Sequence, residues 1–508
     1  MLQEHKHEQT TEPGNNSPAG FMRPLIGAYA LPLHGMTAIP GKISGALVIT
    51  DMIEDAVPLI HGPIGCAYQR KIDPFRPFQV FYDTPCTNMN DVDIVYGGEE
   101  KLEEGIKDTY ERYHPNLIVV ITTCPSDLIG DDFGSVVEAA RSDVGCDVIY
   151  TTGDFVGRSK PIGQQDTLYA ITDQMLCNKS QGGMDDVERN VGSVNIFTYQ
   201  VHGIGSKVTE MASVLSEIGI GINKIFFDHT AVADLYDLPK ADLTITNMKM
   251  VWTELMKRRF GVDHYELMSF ERYAKTRDME LLSPYGIEGG ARVFMEIAER
   301  LDMEGEAEEV ISRRKKDALQ RLSRITKDLA GKKVVGMSPA FLRDMGMKAS
   351  VIVYRTQRLV KRLTEDAIHE RLDIDVELAR RYGSDPEVLI NPKFEEEVQA
   401  IKRTKTDLVF SSGATAHRYN KEGIKTFNFM DFMRFNQRIG FDASIELAIQ
   451  LRGAFKRPQR KKNPLLGMLE YDPQRTGLPK HWAALADVFG RLREPVVGDK
   501  DSNEVCEL

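Results

Sequence analysis

Cysteine is scarce, with six in 508 residues, and tryptophan scarcer, with two. Six thiols in so long a chain are too few for a disulfide-built secreted scaffold, which leaves thiol or metal-ligand roles for them. Long apolar runs are missing as well. Stretches such as residues 117–121 are strand-length, far short of a membrane span. Residues 1–18 are polar with no apolar core, so no secretory signal is expected and the cytoplasm is the expected location. Basic charge is not in excess: 64 Lys and Arg face 75 Asp and Glu, a net charge of −11. Without a dominant basic stretch, nucleic acid is disfavoured as the main partner.

What is present is an ordinary globular composition, 42% hydrophobic and 27% charged, in a chain long enough to bury a large core without staples. A pattern recurs along it: a short β-branched run, a Gly- or Ser-rich turn, then a helical stretch. Leu117-Ile-Val-Val-Ile121 leads into Thr122-Thr-Cys-Pro-Ser126 and a helix from about Phe133 to Ala140. Val194-Asn-Ile-Phe-Thr198 leads into Val201-His-Gly-Ile-Gly-Ser206 and a helix through Leu215. Lys333-Val-Val-Gly336 and Asp407-Leu-Val-Phe410 open the same way. This alternation predicts an α/β fold of parallel sheets with helices on both faces. The strands fall into three clusters, giving expected domains at 41–190, 191–330 and 331–455, with a lead-in at 1–40 and a tail at 456–508. The charged segment 304–333 predicts a helix with a solvated face, bridging the second and third clusters. The basic patch from Lys456 to Lys462 reads as a surface tail or subunit contact.

Three segments carry chemistry. In His61-Gly-Pro-Ile-Gly-Cys66, two glycines and a proline make a tight turn whose backbone N–H groups can point at an anion or at cluster sulfurs. A buried structural cysteine is the plainer reading. In Thr122-Thr-Cys124-Pro-Ser-Asp-Leu-Ile-Gly-Asp-Asp132, Cys124 follows directly on an apolar strand, where open α/β sheets place ligands. Asp131 and Asp132 stand where a helix starts, and capping or loop pinning accounts for them better than catalysis. The third is Thr84-Pro-Cys86-Thr-Asn, followed by Asp93-Ile-Val-Tyr-Gly-Gly98. Three cysteines on three separate turns suit an iron–sulfur cluster held from one rim of a domain, while the absence of CxxC spacing argues against a zinc ribbon or ferredoxin. On spacing alone, cluster ligands and buried thiols stay about equally open.

These residues resemble the nitrogenase component 1 family, the subunits of the molybdenum–iron protein and their relatives. His61–Cys66 is similar to the family's His-Gly-x-x-Gly-Cys turn, and residues 122–132 to its second cysteine turn with Ile-Gly-Asp-Asp. Asp93-Ile-Val-Tyr-Gly-Gly98 resembles the segment between them. Phe155-Val-Gly157 and Arg381-Tyr-Gly-Ser-Asp-Pro-Glu-Val-Leu-Ile-Asn391 resemble loops of the beta-type subunits. The resemblance implies three Rossmann-like domains, the first binding a cluster. It implies a homologous partner subunit in a heterotetramer, and a separate ATP-hydrolysing iron protein that delivers electrons. The chain has no Gly-x-x-x-x-Gly-Lys-Ser/Thr loop, so ATP is expected on that partner.

Two departures shape the expectation. Family subunits carry a further cluster cysteine before the His-Gly turn, and Gly41 stands there instead. Cys66 and Cys124 remain of that set, and Cys86 is the candidate third metal ligand, giving a [4Fe–4S] cluster closed by the partner, or a larger P-cluster-like cluster. His61 and Gly65 are candidate cofactor contacts. His61 could meet a cluster sulfide or be a turn histidine satisfied by backbone. The second departure concerns the alpha subunit's cysteine and histidine for the iron–molybdenum cofactor. No cysteine lies between Cys177 and Cys506, and residues 427–440 contain no histidine. A beta-type or divergent subunit fits better than a catalytic alpha subunit. The expected function is relay of low-potential electrons to a reductive site acting on dinitrogen or another small molecule, such as an alkylthio compound. The alternatives are a scaffold for assembly of a nitrogenase-type cofactor and a metal-free structural subunit. Cys146 and Cys177 read as core thiols. The His202–Ser206 turn reads as sheet-edge geometry or a phosphate site, and Met248, Met250, Met430 and Met433 as core or cavity lining.

Overall fold

The strands of this chain are short and rich in Val and Ile because parallel strands are covered on both faces. In β2 (Leu117–Thr122) all six residues are buried. It pairs in parallel with β1 (Ala56–His61) on one side and β3 (Asp147–Thr151) on the other. The pleat sends its side chains alternately to two cores. Ile118 and Val120 pack with Leu102, Ile106, Val137 and Ala140 of helices Glu99–Tyr113 and Phe133–Asp143. Leu117, Val119 and Ile121 pack with Ile43, Leu47 and Leu168 of helices Lys42–Asp51 and Lys160–Ala170.

The computed structural model describes residues 41–70, 84–153, 160–179, 188–197, 205–226, 230–247, 250–276, 278, 281, 284–354, 365–411, 413–428 and 438–456. Among them are two further sheets, again wholly parallel. One comprises β4 (Asn190–Phe197), β5 (Gly221–Ile225), β6 (Ala241–Thr246) and β7 (Asp263–Glu266), in the order β5-β4-β6-β7. The other holds β8 (Lys333–Val335), β9 (Lys348–Tyr354), β10 (Glu387–Ile390), β11 (Leu408–Ser411) and β12 (Thr426–Asn428), in the order β10-β9-β8-β11-β12. The fold is α/β, with several parallel sheets flanked by helices. The helices expected after Ser126 and at Ser206 are present as Phe133–Asp143 and Gly205–Ile218, and helix Glu99–Tyr113 follows Gly98.

The apolar cores cross between sheets. Phe197, Phe226 and Trp252 meet edge-on or tilted, with ring centroids 5.4–5.9 Å apart, and join the core under the first sheet. A larger core runs from Val194 to Leu451 and takes in both later sheets. Helix Glu304–Ile325 contributes Ala307, Val310, Ile311, Ala318 and Leu322 to it at helical spacing, and turns its charged side chains outward. Met250 is buried in the first core. Residues 154–159, 201–204, 429–437, Met248 and Cys506 carried readings that lie outside the described residues. No helix among the described residues is long and apolar enough to cross a membrane.

Candidate functional site

The three cysteine segments converge on the carboxyl edge of the first sheet. β1 ends at His61, beside Thr122 at the end of β2. After β1 the chain turns at Gly62 and Pro63 into helix Ile64–Arg70, which carries Cys66. Gly62 is required by close approach: a Cβ there would stand 2.1 Å from Thr123 Oγ1. Gly62→Ala is therefore expected to cost about 1–3 kcal/mol, as overpacking does, read as a lowered denaturation midpoint. At Gly65 a Cβ would meet nothing within 4 Å, so open space adjoins the turn there.

After β2, Thr123 caps helix Cys124–Ile129, whose first residue is Cys124. Thr123 N–H donates to Ser126 Oγ at 2.9 Å, and the Thr123 and Ser126 hydroxyls both donate to His61 O, at 3.0 and 3.1 Å. The cap thus ties the second cysteine turn to the end of β1. The third segment runs along the other side of β1. Ile60 N–H donates to Pro85 O at 2.9 Å, Thr87 N–H to Ile60 O at 3.0 Å, and Met89 N–H to Gly62 O at 3.0 Å. Cys86 pairs with Ile60 in a short parallel bridge. Cys86, Cys66 and Cys124 therefore come from three neighbouring chain segments at one sheet edge.

All three thiols are half-buried, and none is in a disulfide. The Cys86 thiol donates to Gly62 O at 3.1 Å, and Asn88 N–H reaches its sulfur at 3.4 Å. Burial pushes the Cys86 thiol above its ordinary value, and the neighbouring Cys66 adds to this against the Asn88 N–H. No three His, Cys, Asp or Glu side chains among the described residues gather closely enough to hold a single metal ion. The donors of a cluster bind different irons and need not crowd around one point. Three soft thiols spread along one edge suit a cluster better than an ion.

Behind the cysteines, His61 is wholly buried. Its Nε2 lies 3.1 Å from Asp131 Oδ2, and its Nδ1 lies 3.1 Å from Thr87 Oγ1. Asp131 Oδ1 accepts Gly98 N–H at 3.0 Å, and Thr87 Oγ1 accepts Gly62 N–H at 3.1 Å. Every group is satisfied by one assignment: Thr87 O–H donates to Nδ1, and Nε2–H donates to Asp131. Burial holds His61 below its ordinary value of 6.5, outweighing the pull of Asp131, so the ring is neutral at pH 7. The histidine is thus satisfied by side chains rather than by backbone. Asp132, by contrast, caps helix Phe133–Asp143 by accepting Ser135 N–H at 3.1 Å, and its Ser135 bonds hold its carboxyl below the ordinary range.

The helices around the thiols expose apolar side chains. Tyr68 is 76% exposed, Tyr96 85%, Val95 72% and Leu128 71%, with Ile64 and Val92 alongside on the same elements. Helix Asp91–Tyr96, which carries Val92, Val95 and Tyr96, buries none of its residues and packs against helix Cys124–Ile129. Scattered exposed apolar residues are ordinary, but several on adjacent short helices form a patch suited to a partner surface.

The family model for nitrogenase component 1 type oxidoreductases matches residues 42–456, the whole span that holds these sheets and the cysteine edge. The chain belongs to that family. Members hold iron–sulfur and related clusters and work in multi-subunit complexes with an iron protein. Among curated relatives, this component 1 chain is 24% identical over 415 residues to the nitrogenase iron-molybdenum cofactor biosynthesis protein NifE of Methanococcus maripaludis, covering 79% of this chain and 81% of that one. It is 23% identical over 465 residues to the nitrogenase molybdenum-iron protein alpha chain of Methanothermobacter thermautotrophicus, covering 84% and 91%. A solved structure described as nitrogenase Cp1 at pH 6.5 superposes with a TM-score of 0.58 at 20% identity, covering 86% of this chain and 93% of that one. These relatives are NifE and alpha-chain proteins, so the lean towards a beta-type subunit, drawn from the missing cofactor ligands, gains no support from them.

Sequence reasoning did not find Thr87, Thr123, Ser126 or Gly98 in this component 1 site. Their partners lie far along the chain, 25 residues for Thr87 and Gly62, 33 for Gly98 and Asp131. The Thr-x-x-Ser cap from Thr123 to Ser126 is the one local signal that could have marked them. Cys146 and Cys177 are half-buried against apolar cores, with burial pushing the Cys146 thiol up to about 11.

Proposed function

We propose that this chain is a component 1 subunit that holds an iron–sulfur cluster through Cys66, Cys86 and Cys124, closed by a homologous partner subunit. In that reading it relays electrons from an ATP-hydrolysing iron protein to a reductive active site of the complex. The observation that carries the proposal is the set of three half-buried thiols on one sheet edge, bordered by exposed Tyr68, Val95, Tyr96 and Leu128. Half-burial is what a shared cluster requires of its ligands: sealed from solvent only once a second subunit covers them. The cluster would supply low-potential one-electron transfer. The chain's own task is to fix three sulfurs on a rigid edge and keep water and strong donors controlled around them. Gly65 leaves space beside the turn, and His61, neutral and buried, anchors it without adding charge. The substrate reduced downstream would be dinitrogen or another small molecule such as an alkylthio compound.

The test is iron and acid-labile sulfide on anaerobically purified protein, alone and with its co-purifying subunit, with electron paramagnetic resonance after reduction. About four irons per cluster and a reduced-cluster signal support the proposal. Iron-free protein in every preparation overturns it.

A second reading is favoured by the NifE relatives: a scaffold on which a nitrogenase-type cofactor is assembled. Both readings need the thiol edge, so the cluster alone does not separate them. Reductant- and ATP-dependent turnover with an iron protein marks the relay. Transfer of metal cofactor to an apo-acceptor, without such turnover, marks the scaffold.

A further inference from the structure

Away from the cysteine edge, a cavity of about 400 Å³ opens beside the free edge of β3. That volume is in the range of small-molecule sites. Its shape comes from a local irregularity. Helix Lys160–Ala170 continues into a π-helical turn, Ile171–Leu176, and ends in Cys177–Lys179. Such turns are uncommon and concentrate at functional sites. The turn directs Gln174 onto the strand edge: its Oε1 accepts Tyr150 N–H at 3.0 Å and its Nε2 donates to Tyr150 O at 3.0 Å. One side chain thereby takes the place of a fourth strand and fixes the cavity wall.

The lining carries two arginines and two carboxylates, so it has no net charge for a polyanion and too much polarity for a lipid. Arg141 is spent: it donates to Val148 O at 2.8 Å and pairs with Glu138. Asp173, on the π-helical turn, and Arg259, at the end of helix Val251–Phe260, are left. Neither makes a hydrogen bond or ion pair among the described residues, and they do not pair with each other, although both act electrostatically on the Cys177 thiol, which lines the same cavity. Tyr150 also lines the cavity, and its hydroxyl, 3.6 Å from where a Cβ on Gly134 would stand, has no hydrogen-bond partner among the described residues. A separated anion and cation, with a neutral donor and acceptor near by, match a ligand that carries both charges on one small framework.

We propose that this cavity binds a small free α-amino acid, its ammonium group on Asp173 and its carboxylate on Arg259, with the Tyr150 hydroxyl completing the polar contacts. The side chain of the ligand lies along Gly134 of the facing helix Phe133–Asp143. Nothing in this proposal depends on the cluster, and its test can be run on the intact chain with its cluster intact or absent.

The experiment is calorimetric titration of the purified full-length chain with glycine, L-alanine, L-cysteine and L-glutamate, and separately with acetate and methylammonium. The expected result is one saturable site per chain for at least one amino acid, with a Kd of about 1 mM or tighter. Each half-ligand binds at least about tenfold more weakly, because each makes one of the two charge-assisted contacts. Asp173→Asn and Arg259→Gln each weaken the amino acid by about tenfold or more. Both side chains reach solvent, and unchanged thermal midpoints will show that the variants fold. Three results overturn the proposal: no saturation by any of the four amino acids to about 10 mM, binding unchanged in both variants, or acetate binding as tightly as the amino acid.

Discussion

Alanine at Cys66 or at Cys124 will leave a chain that folds but has lost its iron, falling from about four irons per cluster to under a tenth of that. The expectation rests on position. Cys124 opens the helix after β2, and Cys66 lies one turn past the end of β1, so both sulfurs are delivered by rigid strand ends rather than by free loops. Neither residue is a core anchor: both are half-buried. Their truncation should cost little stability, so lost iron will not be a folding artefact, and far-ultraviolet circular dichroism will separate the two. Cys86→Ala carries the finer question. Its thiol donates to Gly62 O at 3.1 Å and accepts Asn88 N–H at 3.4 Å, weak sulfur bonds each worth about 1 kcal/mol or less to the fold. If Cys86 is a ligand, its variant loses iron and the reduced-cluster signal as the others do. Retained iron in Cys86→Ala, with more than about four irons in the two-subunit complex, would point to a larger shared cluster and remove Cys86 from the ligand set. Full iron in Cys66→Ala and Cys124→Ala would remove the whole edge from consideration.

The sheet edge was legible because its signals are local. Five apolar residues followed by Thr-Thr-Cys-Pro-Ser announce a strand, a turn and a helix beyond it, and the structure has β2 and helix Phe133–Asp143 there, while the short helix Cys124–Ile129 stands where a turn was expected. The charged helix Glu304–Ile325 was legible for a similar reason, through its unbroken run of charged, helix-forming residues. Helix Lys42–Asp51 was not. Residues 42–50 are all buried, so Lys-Ile-Ser-Gly-Ala-Leu-Val-Ile-Thr has no polar face to set a helical period. The pairing of Cys86 with Ile60 was hidden too, since it needs a single bridge across 26 residues rather than a strand with its own pattern. Domain lines drawn at 190 and 330 reflect where strands cluster along the chain. Across those lines one core joins Phe197 and Trp252 to the first sheet, and another takes in both later sheets, packing that composition does not encode.

Asp131→Ala will destabilise the protein by about 2–5 kcal/mol, because two buried donors lose their acceptor at once. His61 Nε2–H and Gly98 N–H both end on this carboxylate, one on each oxygen. Asp131→Asn tests the geometry more sharply. An amide offers one acceptor oxygen and turns its NH2 towards the other donor, so about 1.5–3 kcal/mol should go even though size and burial are kept. The histidine adds a pH dependence whose sign follows from its direction of shift. Burial holds folded His61 below 6.5, so between the lowered folded value and 6.5 the unfolded chain binds the proton and the folded one does not. Stability from this group is therefore complete above pH 6.5 and falls as the pH drops through that window, by up to about 1.4 kcal/mol per pH unit. His61→Gln removes the titration, so its denaturation midpoint should vary less between pH 7.5 and 5.5 than that of the wild type. Urea unfolding of the iron-free chain at those pH values reads this without interference from metal release. A wild-type slope equal to that of His61→Gln, or an Asp131→Asn cost below about 0.5 kcal/mol, would mean that the buried chain of Thr87, His61, Asp131 and Gly98 does not hold the cysteine edge together.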